Sequence, residues 1–164
     1  MKKVLVGITF LCLIVFVGCQ ANTQVYELIE KLGSTDKTEV KKTLNELKSI
    51  GEPAVVPIIE KMEQDTKNKF LIPGSIGLLA IGKPSVTPLI NVLKDSNKRF
   101  ELRAIAARTL ADLKDPRAVD PLYNILTDKS ESGTLRKHCG EMIMAMAKTG
   151  VPEAREAMLK YIKE

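Results

Sequence analysis

Residues 102–126, LRAIAARTLADLKDPRAVDPLYNIL, decide the fold. Leu102, Ile105, Ala106, Leu110 and Leu113 recur at helical spacing, and the run from Phe100 to Leu113 contains neither Gly nor Pro, which is the pattern of a helix with one apolar face. That helix should stop near Lys114. Asp115 is a good cap, and Pro116 sits where a missing amide hydrogen costs nothing. Pro121 cannot lie deep in the same helix, because it would lose a hydrogen bond and its ring would clash with the carbonyl four residues back. The spacing therefore predicts a tight 3₁₀-like turn over residues 116–120, then a second helix from about Asp120 to Thr127 that buries Leu122 and Leu126.

The unit returns along the chain. GEPAVVPII at 51–59, GKPSVTPLI at 82–90, KDPRAVDPLY at 114–123 and GVPEAREAML at 150–159 place Pro53, Pro84, Pro116 and Pro152 at intervals of 31, 32 and 36 residues. A period near thirty implies a stacked array of helical hairpins, in which each pair buries its apolar face on the next. Gly51, Gly82 and Gly150 stand at the joint between first and second helices, where a helix most readily ends in a left-handed residue. In the first helices, Gly74-Ser75, Ala106-Ala107 and Cys139-Gly140 hold the same two places, taken by Thr43-Leu44 in the first repeat. Small side chains there allow close helix approach. Val25, Leu28, Ile29 and Leu32 form the i, i+3, i+4, i+7 stripe of a second helix without its partner, an N-terminal cap. Two departures stand out: Pro73, Gly74 and Gly77 should shorten or kink the first helix of the second repeat, and Ala157 replaces the second proline of the fourth.

These residues resemble the HEAT-like repeats first associated with phycobilisome lyase subunits, over about Val25 to Lys163 and most closely in the third repeat. The resemblance implies an all-α fold: a short right-handed α-solenoid of about four HEAT-like hairpins plus the capping helix, with first helices convex and second helices lining a concave side. It also implies that such arrays present surfaces more often than active sites.

The N-terminus reads differently. Lys2 and Lys3 precede the uncharged stretch Val4 to Gly18, which has the length and flanks of a signal-peptide core and is short for a membrane-spanning helix. Phe16-Val17-Gly18-Cys19 resembles the lipobox of bacterial lipoproteins, which implies cleavage before Cys19 and lipidation of its thiol. The expected organisation is thus a leader over 1–18, a lipidated tether over 19–23 and a repeat domain over 24–164. Gln20 lacks the negative charge of an aspartate, so the resemblance implies no retention at an inner membrane; the expected place is the extracytoplasmic side of the cell envelope, at the outer membrane if there is one. The short tether would hold Lys31 and Lys37 near lipid headgroups. Cys12 leaves with the leader and Cys19 carries lipid, so only Cys139 remains and no internal disulfide can form. The formal charge of +5 falls further once Lys2 and Lys3 are removed, a balance that speaks for solubility and gives no nucleic-acid signature.

Aligned second helices put Glu30, Glu60, Asn91, Asn124 and Lys160 in one column, with Lys31, Lys61, Val92, Ile125 and Tyr161 beside it, at positions expected to turn away from the core. Under the implied geometry they form a concave strip, charged at its N-terminal end and apolar around Tyr161 at the other, suited to an extended peptide or partner helix. The competing readings are a solvated face with no ligand, a small-ligand carrier or assembly chaperone of the lyase-related kind, and an enzyme using His138 or Cys139. Those two align with Ile105 and Ala106 on a packing face, and the sequence offers no second His, paired acidic motif or glycine-rich phosphate loop. No catalytic residue, metal or cofactor is therefore expected. FLIPGSIGLLAIG, 70–82, is apolar all round: Leu71, Leu78, Leu79 and Ile81 are core, or Ile72 and Leu79 form an exposed patch that docks a protein or the bilayer. Met142, Met144, Met146 and Met158 are expected as adaptable core filler.

Overall fold

In the computed structural model, which describes residues 23–163, all regular structure is helical. A first helix over residues 23–31 (α1) is followed by α2 (Lys37–Ile50), α3 (Val55–Gln64), α4 (Leu71–Ile81), α5 (Val86–Lys94), α6 (Phe100–Leu113), α7 (Val119–Thr127), α8 (Gly133–Lys148) and α9 (Pro152–Lys163). The expectations placed on residues 1–22, Cys19 among them, fall outside the described residues. First helices α2, α4, α6 and α8 pack in sequence, and each of α3, α5 and α7 is covered by the first helix of the following repeat. One apolar core runs from Val25 to Ala154.

The quoted stretch folds as read. Asp115 caps the 3₁₀ turn Pro116–Ala118 by accepting from the Arg117 amide, α7 begins at Val119, and Leu122 and Leu126 are buried. Pro121 lies in the first turn of α7, where its absent N–H leaves no gap in the ladder. Val25, Leu28 and Ile29 of α1, with Leu32 just past its end, are buried at the same intervals as Val55, Ile58, Ile59 and Met62 of α3, so the capping helix is a second helix in register.

The joints correct the expected left-handed geometry. Gly51 and Gly82 adopt φ 72°, ψ −134° and φ 84°, ψ −135°, well outside the left-handed helical well and in a region open to glycine almost alone. One glycine turns the chain there. The third repeat uses two residues instead: Lys114 takes the left-handed conformation (φ 55°, ψ 28°) and Asp115 caps the turn.

Small residues of the first helices lie where predicted. A Cβ on Gly74 would come within 2.5 Å of Met62 Cγ, one on Gly77 within 2.9 Å of Leu32, and one on Gly140 within 3.2 Å of Leu126. Pro73 shortens α4 by standing in its first turn, so the helix has 11 residues against 14 in α6 and 16 in α8. Leu71, Leu78 and Ile81 are core and Leu79 is half-buried, so the exposed apolar pair is Ile72 and Ile76, one turn apart, rather than Ile72 and Leu79.

Gly82→Ala should lower unfolding free energy by about 1–2 kcal/mol, whereas Lys114→Gly should leave it unchanged or raise it by up to about 1 kcal/mol. Urea unfolding of the two variants checks the pair.

Candidate interaction surface

The positions following the buried stripe of each second helix form two exposed rows. Tyr26 (46 % exposed), Val56 (54 %), Thr87 and Asp120 make one row. Glu30, Glu60, Asn91 and Asn124 make the other, and every one of these side chains is exposed. The first row is apolar at its N-terminal end and acidic at the other, while the second runs from Glu30 and Glu60 at the N-terminal end to Asn91 and Asn124.

The neighbouring column predicted from sequence is largely structural. Val92 (6 % exposed) and Ile125 (8 %) are buried, because each lies three residues beyond a core leucine, Leu89 or Leu122, and a helix covered on two sides needs a wider apolar stripe. Lys61 pairs with Glu30 across the first joint, and its ammonium lies 6.0 Å from the Phe70 ring centroid. Lys160 and Tyr161 point to different grooves. Lys160 sits 5.0 Å from the Tyr123 ring centroid in an open groove of about 460 Å³ between α7 and α9, together with Asp120, Glu153 and Glu156. Tyr161 lines a separate groove against α8. Adjacent residues on a helix diverge by about 100°, so they cannot share one narrow strip.

What holds these rows in place was not anticipated from sequence. The last carbonyls of the second helices each receive a guanidinium from further along the chain: Arg99 Nη2 donates to Met62 O (2.6 Å), Arg103 Nε to Leu93 O (2.9 Å) and Arg136 Nε to Leu126 O (3.1 Å). A cation at a helix C-terminus satisfies an orphan carbonyl and the helix dipole together. Asp65, Asp95 and Asp128 follow the same helices, and each accepts the backbone amide two residues on, closing an Asx turn into the next first helix. The recurrence of Asp after 64, 94 and 127 was visible in the sequence; Arg103 and Arg136 also recur, each ten residues beyond the carbonyl it caps, but that place after Met62 is Ile72, and Arg99 reaches Met62 from the following repeat.

Arg103 is itself buried and completes its bonds on Glu131. That guanidinium holds the Glu131 carboxyl below its ordinary range, as Arg117 does for Asp115 and the Ser130 hydroxyl for Asp128. Between the end of α3 and the connection from α5 to α6, Lys98 pairs with Glu63 at 2.5 Å, which raises the lysine above its usual value.

His138 and Cys139 diverge as their alignment implies. His138 Nε2 lies 3.1 Å from the Ala104 carbonyl and Nδ1 lies 3.9 Å from Glu141. Cys139 is fully buried, and desolvation pushes its thiol up to about 12, with Arg103 pulling down and Glu131 pushing up. A thiol held there remains protonated near neutral pH and is a poor nucleophile. Among the described residues, no group of three His, Cys, Asp or Glu side chains converges as a metal site, and no helix is long and apolar enough to cross a membrane. Of the four methionines expected as filler, Met146 is buried and Met142 and Met158 are half-buried, but Met144 is exposed.

Residues 86–164, spanning α5 to α9 and a little under half of the chain, match the family model of HEAT repeats. No curated protein matches the chain as a relative. With the helical order described above, the match makes the fold an all-α HEAT-like solenoid.

Arg103→Ala should cost about 2–4 kcal/mol, since it strands the Leu93 carbonyl and leaves Glu131 without its partner. Glu131 has a lowered folded pKa, so its contribution is present above the unfolded value near 4 and is lost as pH falls through the folded one. The stability gap between wild type and Glu131→Gln should therefore narrow from pH 6 to about pH 3 in chemical unfolding. Cys139 should react with a thiol reagent at a rate set by opening of the fold; reaction as fast as that of a free thiol at neutral pH would show that it is accessible.

Proposed function

We propose that this HEAT-like repeat protein is a lipid-anchored, non-enzymatic adaptor of the bacterial cell envelope, which binds a protein or peptide along its second-helix face. HEAT repeats commonly mediate protein–protein interaction. The observation that carries the reading is the pair of exposed rows: Tyr26 and Val56 beside Glu30, Glu60, Asn91 and Asn124, rigidly spaced by the buried stripe beneath them. Aromatic and aliphatic anchors next to amide and carboxylate groups suit an extended chain or a helix that presents an apolar residue at one end and hydrogen-bonding groups along its length. Lys160, with Glu153 and Glu156, continues the surface at the α7–α9 groove with charge of both signs. The open form of that groove favours a polymer ligand over a small molecule held in a closed cavity.

Anchoring rests on the sequence alone. The lipobox-like Phe16-Val17-Gly18-Cys19 supports lipidation of Cys19, and Gln20 supports export beyond an inner membrane where two membranes exist. Lys31 and Lys37, both exposed, lie at the end of the stack nearest that tether.

Two linked measurements test this. Cys19→Ala should move the protein from the membrane to the soluble fraction; unchanged membrane association would remove the lipid anchor. Partner proteins recovered from membranes with the wild-type chain should be lost by at least about tenfold with Asn91→Arg and Asn124→Arg together, and by a similar factor with Tyr26→Ala and Val56→Ser, if these rows are the binding face. Recovery of the same proteins by all variants would place recognition elsewhere.

A further inference from the structure

The two ends of the stack are built differently. At the N-terminal end α2 turns Lys37, Lys41, Lys42 and Lys48 outward and buries only Thr43 and Leu47. A stack needs such a polar terminal surface to remain soluble. At the other end α8 and α9 form an open groove of about 640 Å³ whose apolar lining includes Met144, Met158, Tyr161 and Ile162. Ile162 is 75 % exposed and Met144 43 %. In the third repeat the place of Met144 is held by Ala111, which is buried beneath the stack. Gly140, which packs against Leu126 of α7, lies at the floor of the same groove. The α8–α9 face therefore has the chemistry of an internal joint with nothing from the described residues upon it.

Charge selects the occupant. A head-to-tail stack would set α2, whose four exposed lysines outnumber Glu39 and Glu46, against Arg136 and Lys137 at the rim of the groove, with Glu141 the one acid among the described residues of its lining, so cations would exceed acids on both surfaces. The same face of another copy offers a match in both respects. It is equally apolar, and it carries Lys137 and Glu141 one helical turn apart on α8, both exposed and both lining the groove. A two-fold axis passing between these residues runs the two α8 helices antiparallel and sets Lys137 of each copy opposite Glu141 of the other, the reciprocal pairing that an isologous interface requires. We propose that the chain dimerises through its α8–α9 face about this two-fold. None of the residues of the two exposed rows, Tyr26 to Asp120 and Glu30 to Asn124, lines this groove, so a dimer would present two copies of the recognition rows.

The test uses the full-length chain extracted in mild detergent, prepared as an equal mixture of isotopically light and heavy copies and treated with a carbodiimide. Amide links joining Lys137 of one isotopic form to Glu141 of the other are expected, and their absence at protein concentrations up to about 100 µM, with the chain sedimenting as a monomer, overturns the proposal. Ile162→Glu should weaken dimerisation by at least about 100-fold, while Ile72→Glu, on another face, should leave it unchanged. Lys137→Glu and Glu141→Lys should each weaken it by about tenfold, and the two together should restore it to within a few-fold of wild type. Both charges are exposed, so these variants keep the fold, which circular dichroism checks. A dimer indifferent to Ile162→Glu, or charge reversals that fail to compensate, would contradict the geometry.

Discussion

The structure depends on the burial of each second helix by the first helix of the next repeat, at a distance that only small side chains permit. Gly74 lies against Met62 and Gly140 against Leu126, so tightly that a methyl group at the first would collide with the neighbouring side chain. Protein interiors do not absorb such overlaps without shifting or straining. Close approach is what makes one continuous core out of helices as short as the 9 residues of α5 and α7, which alone would be too short to persist in water. The arginines reinforce this stacking: Arg103 and Arg136 tie the ends of α5 and α7 to the helices that cover them, and Arg99 ties the end of α3 to the start of α6, one repeat further on.

Much of this was legible in the chain. Proline punctuation located the 3₁₀ turns, and the stripe of Val25, Leu28, Ile29 and Leu32 identified the cap, because both follow from local rules about amide hydrogens and helical period. What was not legible depended on neighbours. Val92 and Ile125 looked like surface because a stripe for one contact does not need them; each is buried because its helix is covered from two sides. Lys160 and Tyr161 looked like one site because they adjoin in sequence, yet they line different grooves. The extra residue in KDPRAVDPLY, where Lys114 and Asp115 replace a single glycine, shifts any alignment made on the prolines. The arginine caps escaped notice because the place held by Arg103 and Arg136 is Ile72 in the second repeat, where Arg99 from the third repeat caps Met62 instead.

The same physics separates surface from scaffold. Rows such as Tyr26–Val56 and Asn91–Asn124 are displayed at fixed spacing because the residues beneath them are locked, so recognition needs little reordering on binding. Cys139 belongs wholly to the scaffold: it fills the small-residue column, and its protonated thiol is the condition of its burial. The end of the array is where scaffold and surface meet, since α8 and α9 carry a joint-like face with no following helix among the described residues.

Native-state hydrogen exchange tests the covering of second helices most directly, because amide protection reports the free energy of opening each helix. In dilute solution the slowest amides of α5 and α7 should share one opening free energy, that of the whole stack, and those of α9 should exchange at least about tenfold faster because no helix among the described residues covers it as α8 covers α7. Protection of α9 equal to that of α7, or α5 and α7 opening independently of each other, would contradict a core built from successive joints.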